Sequence, residues 1–118
     1  MTVIDMSVVE ELLDLCDDRD PELLVDLVEM FLEDGPARIQ SILDGLEQDD
    51  LEMVERAAHS LKGSAGNLGA LKVQNHADAL QVASRQGEGS KLNELVPSLQ
   101  SDYREAEQAL RDIIAKYK

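Results

Sequence analysis

Apolar residues return every three or four positions through nearly the whole chain, the spacing that gathers them on one side of an α-helix. Val8, Leu12, Leu15 and Cys16 predict a short first helix. Asp20-Pro21 then supplies a capping carboxylate followed by proline at the first helical position. Leu23, Leu24, Leu27, Val28 and Phe31 carry a second helix to Gly35-Pro36. Ile39, Ile42, Leu43 and Leu46 continue in the same phase, so one long helix kinked at Pro36 is expected rather than two. A third helix should begin after Asp50 and bury Leu51, Val54, Ala57, Ala58, Leu61, Ala65 and Leu68, with Gly69 permitting a tight corner. Ala70, Val73, Ala77, Leu80 and Ser84 fit a fourth helix, stopped by Gly87-Glu88-Gly89. Ser90 is placed to cap a last helix with the stripe Leu92, Leu95, Leu99, Tyr103, Ala106, Leu110, Ile113 and Tyr117, bent near its start by Pro97. No run alternates apolar and polar residues as a strand would. Short connections between amphipathic helices make neighbours antiparallel. The expected fold is therefore all-α, an up-down antiparallel four-helix bundle with a short extra N-terminal helix, and the 118 residues form a single domain.

Composition sharpens this in two ways. Aromatic residues are only 3% of the chain and Trp is absent, so the core must be aliphatic. Cys16 is the one cysteine, which rules out an intrachain disulfide and fits a small buried hydrophobe in a reducing compartment. The opening MTVIDMSVVEELL has no basic segment followed by a long apolar run, and nothing approaches the roughly 20 apolar residues of a membrane helix. The expected location is the cytoplasm.

Charge is unevenly spread. Residues 1–55 carry 18 acidic residues against Arg19 and Arg38, whereas residues 56–118 carry seven acidic residues against nine basic ones. A net charge of -14 offers no basic face for phosphate backbones, which argues against nucleic acid as a partner. The acidic half reads as solvated helix faces that favour solubility, and a monomer is expected.

The acidity stops where the segment Ala57-Ala58-His59-Ser60-Leu61-Lys62-Gly63-Ser64-Ala65-Gly66-Asn67-Leu68-Gly69-Ala70 begins. With about 100° of rotation per residue, Glu52, Glu55, Arg56, His59, Gly63 and Gly66 project from the side of the third helix opposite its apolar stripe. Each interior helical glycine costs ~1 kcal/mol relative to alanine, so two on an exposed face imply that bare backbone is useful there. Gly63 and Gly66 would clear a shallow trough beside His59 for a macromolecular partner. Lys62, three residues on, can lean toward the ring and bring a positive charge. Arg56 shares the face, and Lys72 and Arg85 follow in the next helix. An imidazole titrates near pH 6.5, is largely neutral and nucleophilic at cytoplasmic pH, and with a nearby ammonium suits reversible attack on a phosphoryl group.

At His59-Ser60-Leu61-Lys62-Gly63-Ser64-Ala65-Gly66-Asn67-Leu68-Gly69-Ala70 the sequence resembles the signature of histidine-containing phosphotransfer (HPt) domains of two-component phosphorelays, and the likeness extends over about residues 20–115. The resemblance implies a helical bundle that receives a phosphoryl group on His59 from a receiver-domain aspartyl phosphate and passes it to another receiver's aspartate. It implies that Lys62 stabilises charge and that Gly63 lets the receiver dock. Some members orient the imidazole through a glutamine of the following helix, and Gln81 falls at that separation. Ser64 matches a small polar position that helps hold phosphoryl oxygens. Response-regulator receivers would be the partners, with a hybrid sensor kinase as a candidate upstream partner. Any Mg²⁺ would sit on the receiver, so no cofactor or metal is expected here. The initiating methionine and short length are those expected of a freestanding relay protein.

Other chemistries fail on spacing. Gly63, Gly66 and Gly69 run G-x-x-G-x-x-G, follow no strand, and Lys62 precedes its glycine, so neither a dinucleotide fingerprint nor a P-loop is present. A carrier without its own ATP site is expected, not an enzyme. His59, His76 and Cys16 lack the spacing of a zinc set, and His59-Ser60 is not a nucleophile elbow. His76, with no glycines or lysine at matching offsets, reads as a surface or boundary residue without a role. The alternative of a different class is a non-catalytic helical adaptor that binds receivers or other signalling domains through the same trough.

Overall fold

A computed structural model of the chain describes residues 3–117; Met1, Thr2 and Lys118, the ends of the expected single domain, lie outside the described residues. Five α-helices follow one another: α1 (Met6–Asp14), α2 (Glu22–Glu47), α3 (Leu51–Asn67), α4 (Leu71–Arg85) and α5 (Gly89–Ala115), with a 3₁₀ turn at Asp17–Arg19. Among the described residues there is no strand, and no helix is long and apolar enough to cross a membrane. The connections at 48–50, 68–70 and 86–88 are short, so consecutive long helices run antiparallel. α3 packs against α2 and α4, and α5 closes the ring against α4 and α2, giving a four-helix bundle about an aliphatic core.

The stops are local and chemical. Asp50 accepts the Met53 amide at 3.1 Å and starts α3 where expected. Gly69 turns the corner at φ +74°, and its carbonyl accepts the Asp5 amide at 2.8 Å, which fastens the N-terminal segment over the α3–α4 end of the bundle. Asp20 accepts the Glu22 amide at 3.0 Å, as a cap should, although the regular helix begins one residue later than the sequence suggested. α2 continues through Pro36 as one helix.

Three expectations are corrected. On α1 the fully buried residues are Val9 and Leu13, joined by Ile4; of the expected stripe Val8, Leu12, Leu15 and Cys16, Leu12 packs half-buried against the core and none is fully buried. Two adjacent diagonals of α1 are apolar, so periodicity alone does not choose between them, and the helix ends at Asp14 before Leu15 and Cys16 can follow it. Leu15 is 80% exposed, and Cys16 is half-buried with its thiol on the Leu12 carbonyl at 3.3 Å. Ser90 does not cap α5. Gly87, at φ +72°, reverses the chain and the helix starts at Gly89, where Leu92 N already reaches Glu88 O at 3.2 Å. Tyr117 is exposed because α5 ends at Ala115, while Val96 and Ile114 join the stripe.

The long helices α2 and α5 are locked at one place. Pro36 removes the amide that would reach the carbonyl four residues back, at Leu32. The neighbouring Phe31 carbonyl takes the Tyr103 hydroxyl at 2.8 Å, and the two rings lie 5.1 Å apart. Burial pushes the Tyr103 phenol above its ordinary range and keeps it a donor. A Cβ at Gly35 would stand 2.2 Å from the Tyr103 hydroxyl oxygen, so only glycine lets the ring lie on α2. Gly35→Ala is expected to lower the unfolding free energy by about 1–3 kcal/mol through overpacking. Tyr103→Phe should lower it by about 1 kcal/mol through the lost hydrogen bond, both read from urea midpoints.

Candidate phosphoacceptor site

The site is built on the middle of α3 and faces α4. Ala57, Ala58 and Leu61 are buried, which anchors that turn of α3 in the core and leaves His59 exposed on the opposite side. Its Nδ1 lies 3.1 Å from Nε2 of Gln81, a residue of α4 that is only 7% exposed. The imidazole is thus held at one nitrogen by a buried carboxamide, and Nε2 is the nitrogen Gln81 does not engage. The Gln81 Oε1 is buried without a hydrogen-bond partner among the described residues. Glu55, Arg56, Ser60 and Gln81 line the open depression around the ring.

Two ion pairs between α3 and α4 bracket this contact. Lys62 Nζ sits 2.9 Å from Asp78 Oδ1, and Arg85 Nε sits 3.0 Å from Glu55 Oε1. Lys62 lies three positions after His59 and Asp78 three before Gln81; Glu55 lies four before His59 and Arg85 four after Gln81. Equal steps in opposite directions along antiparallel helices keep partners opposite one another, so the three contacts form rungs of a ladder. Arg56 pairs within its own helix with Glu52 at 3.4 Å.

The two glycines differ. A Cβ at Gly63 would meet nothing within 4 Å, so the ground next to His59 is open there. A Cβ at Gly66 would come within 2.9 Å of Gln74 Nε2, so its space is taken by the Gln74 carboxamide of α4 and the trough narrows to Gly63. Ser64 is not brought to the ring. Five residues beyond His59, it lies about 140° around the helix. Its hydroxyl is bonded to the Ser60 carbonyl at 3.0 Å, and the side chain borders a groove with Leu27, Met30 and Phe31 of α2. Lys72 turns to Glu105 of α5 at 3.7 Å, away from the histidine face. His76 is a half-buried boundary residue as expected, its Nδ1 paired with Asp102 of α5.

Sequence reading missed Asp78 and Glu55 as partners of the site's cations. The signal was present, since both follow from Gln81 facing His59 across antiparallel helices. Among the described residues, no group of three or more His, Cys, Asp or Glu side chains is arranged to hold a metal ion.

Residues 26–114 match the Hpt domain family. Multistep phosphorelay regulator 1 of Schizosaccharomyces pombe is 32% identical over 79 residues, which cover 67% of this chain but 27% of that protein. Histidine-containing phosphotransfer protein B (HptB) from Pseudomonas aeruginosa PAO1 shares the fold, with a TM-score of 0.88 over 98% of this chain and 97% of that one at 22% identity. With a match spanning α3, α4 and most of α2 and α5, the chain belongs to the Hpt domain family.

Proposed function

We propose that this domain is a phosphorelay carrier: His59 accepts a phosphoryl group from a receiver-domain aspartyl phosphate and hands it to the aspartate of another receiver. The observation that carries the reading is an exposed imidazole fixed at Nδ1 by a buried glutamine, beside open ground at Gly63. A ring so held has one nitrogen to orient it and one to react.

The two ends of a carboxamide exchange by rotation about Cγ–Cδ. With its NH₂ toward the ring, Gln81 donates to a bare Nδ1, and the ring proton sits on Nε2. With Oε1 toward the ring, the amide accepts from Nδ1–H, the Oε1 gains the partner it lacks, and the Nε2 lone pair is free to attack. In the transfer step that lone pair forms the N–P bond while the P–O bond to the receiver aspartate breaks. The electron pair leaves with the aspartate carboxylate, and the proton stays on Nδ1 against the glutamine oxygen. Return to a second receiver reverses each change. Lys62 is the cation for the charge that develops on the phosphoryl oxygens. Arg56 and Gly63 belong to the surface a receiver meets. Gly66 shapes that surface through the Gln74 amide above it, and Ser64, its hydroxyl turned back to the Ser60 carbonyl, has no place in contact with the phosphoryl group.

The chain reads as a carrier without an ATP site of its own. The phosphoryl group comes from the donor receiver, and any Mg²⁺ belongs to the acidic pocket of that receiver. The strong net negative charge favours a monomer, working in the cytoplasm alongside its receivers.

Mixing with a receiver domain phosphorylated on its aspartate is expected to leave acid-labile, base-stable label on the wild-type chain. None should appear on His59→Gln, with helicity unchanged by circular dichroism. Equal labelling of His59→Gln would falsify the carrier reading. Gly63→Gln should slow transfer by roughly tenfold or more by filling the approach to the ring, equivalent to a loss of about 1.4 kcal/mol in docking. Its melting temperature should be unchanged or higher, because glutamine is the better helix former by about 0.5–1 kcal/mol.

A further inference from the structure

Resting on the carrier reading, we propose that Asp78 is a positioning residue for the phosphoryl-stabilising lysine. Its carboxylate holds Lys62 aside between transfers, and phosphorylation of His59 requires the ammonium to move from Asp78 to the phosphoryl oxygens.

The geometry is direct. Lys62 Nζ and Asp78 Oδ1 are 2.9 Å apart, on the rung of the α3–α4 ladder next to His59–Gln81. Their side chains are 36% and 51% exposed, so the pair is solvated, weakly held and easily opened. A lysine ammonium is a compact charge on a flexible four-carbon stem and can be redirected by side-chain rotation alone. A phosphoryl group on the ring brings close to two negative charges and three acceptor oxygens, and outcompetes one carboxylate for the ammonium. Once Lys62 has moved, Asp78 is left as an unpaired negative charge within one helical turn of Gln81, where it disfavours the phosphorylated state.

Asp78 therefore weakens the phosphohistidine twice, by sequestering the cation beforehand and by repelling the anion afterwards. For a carrier that must both accept and release, this keeps His59 from becoming a sink. The covalent balance is that of the transfer already described; Asp78 and Lys62 exchange an ion pair and no proton.

The test is the equilibrium distribution of phosphoryl label between an isolated receiver domain and four chains: wild type, Asp78→Asn, Lys62→Ala and the double variant. Asp78→Asn is expected to raise the fraction on His59, with an equilibrium constant about fivefold above wild type. Lys62→Ala should lower it, and Asp78→Asn in the Lys62→Ala background should recover clearly less than fivefold, since no ammonium remains to be released. Asp78→Glu, which keeps a carboxylate within reach of Lys62, should stay near wild type. The effect of Asp78→Asn being equal in both backgrounds, or absent while the wild-type chain labels normally, would overturn this role and leave the carrier reading intact. An unlabelled wild-type chain would overturn both. Thermal melts confirm that all variants are folded at the temperature of the exchange.

Discussion

The architecture depends on one contact, the packing of α3 along α4 in a single antiparallel register. The buried faces of these helices are rich in small side chains, with Ala57, Ala58 and Ala65 on α3 and Ala77, Ala83 and Ser84 on α4. Small residues permit close approach, and the larger Leu61 and Leu80 then fill the interior with no measurable exposure beyond 1%. Changing a close-packed interior of this kind requires moving several side chains together, so the register is well determined. Everything on the outer side of the two helices inherits that determination. The imidazole meets the Gln81 amide because the core has already fixed which turns of α3 and α4 lie side by side.

Charge on this face is arranged in closed pairs. Lys62 and Arg85 are each held across the helices by a carboxylate, and Arg56 by a neighbour one turn away. Exposed ion pairs contribute little to stability, so their interest here lies in what they do to the local field. The cations of this face are therefore already partnered, Lys62 by Asp78, Arg85 by Glu55 and Arg56 by Glu52. This differs from a dedicated phosphate pocket, in which donors converge permanently on one position.

Local chemistry made much of this legible from sequence, and long-range pairing made the rest hard to read. The limits of α3 were readable because Asp50 caps it and Gly69 takes a left-handed turn, both signals carried by single residues. His59 could be placed in solvent because the apolar stripe around it is unambiguous, whereas Gln81 came only from the resemblance to HPt domains, through its separation from the histidine. α1 was misread where two apolar diagonals compete, and Ser90 because Gly87 started α5 earlier than a capping serine would have. Helix geometry puts Gly66 on the same exposed face as Gly63, yet a Cβ at Gly66 would meet Gln74 and one at Gly63 would meet nothing within 4 Å. That difference belongs to the neighbouring helix. The same is true of Asp78: its partner lies sixteen positions away, and only the register connects them.

The ladder also limits how such a surface can change over generations. A single residue inserted at 68–70 that propagated into α4 would rotate its rungs by about 100° and carry the glutamine, the aspartate and the arginine away together. Change that preserves the facing of His59 and Gln81 is thus confined to swapping side chains at fixed places. The outer surface can be repainted residue by residue on a rigid panel, with the corner between α3 and α4 kept at constant length.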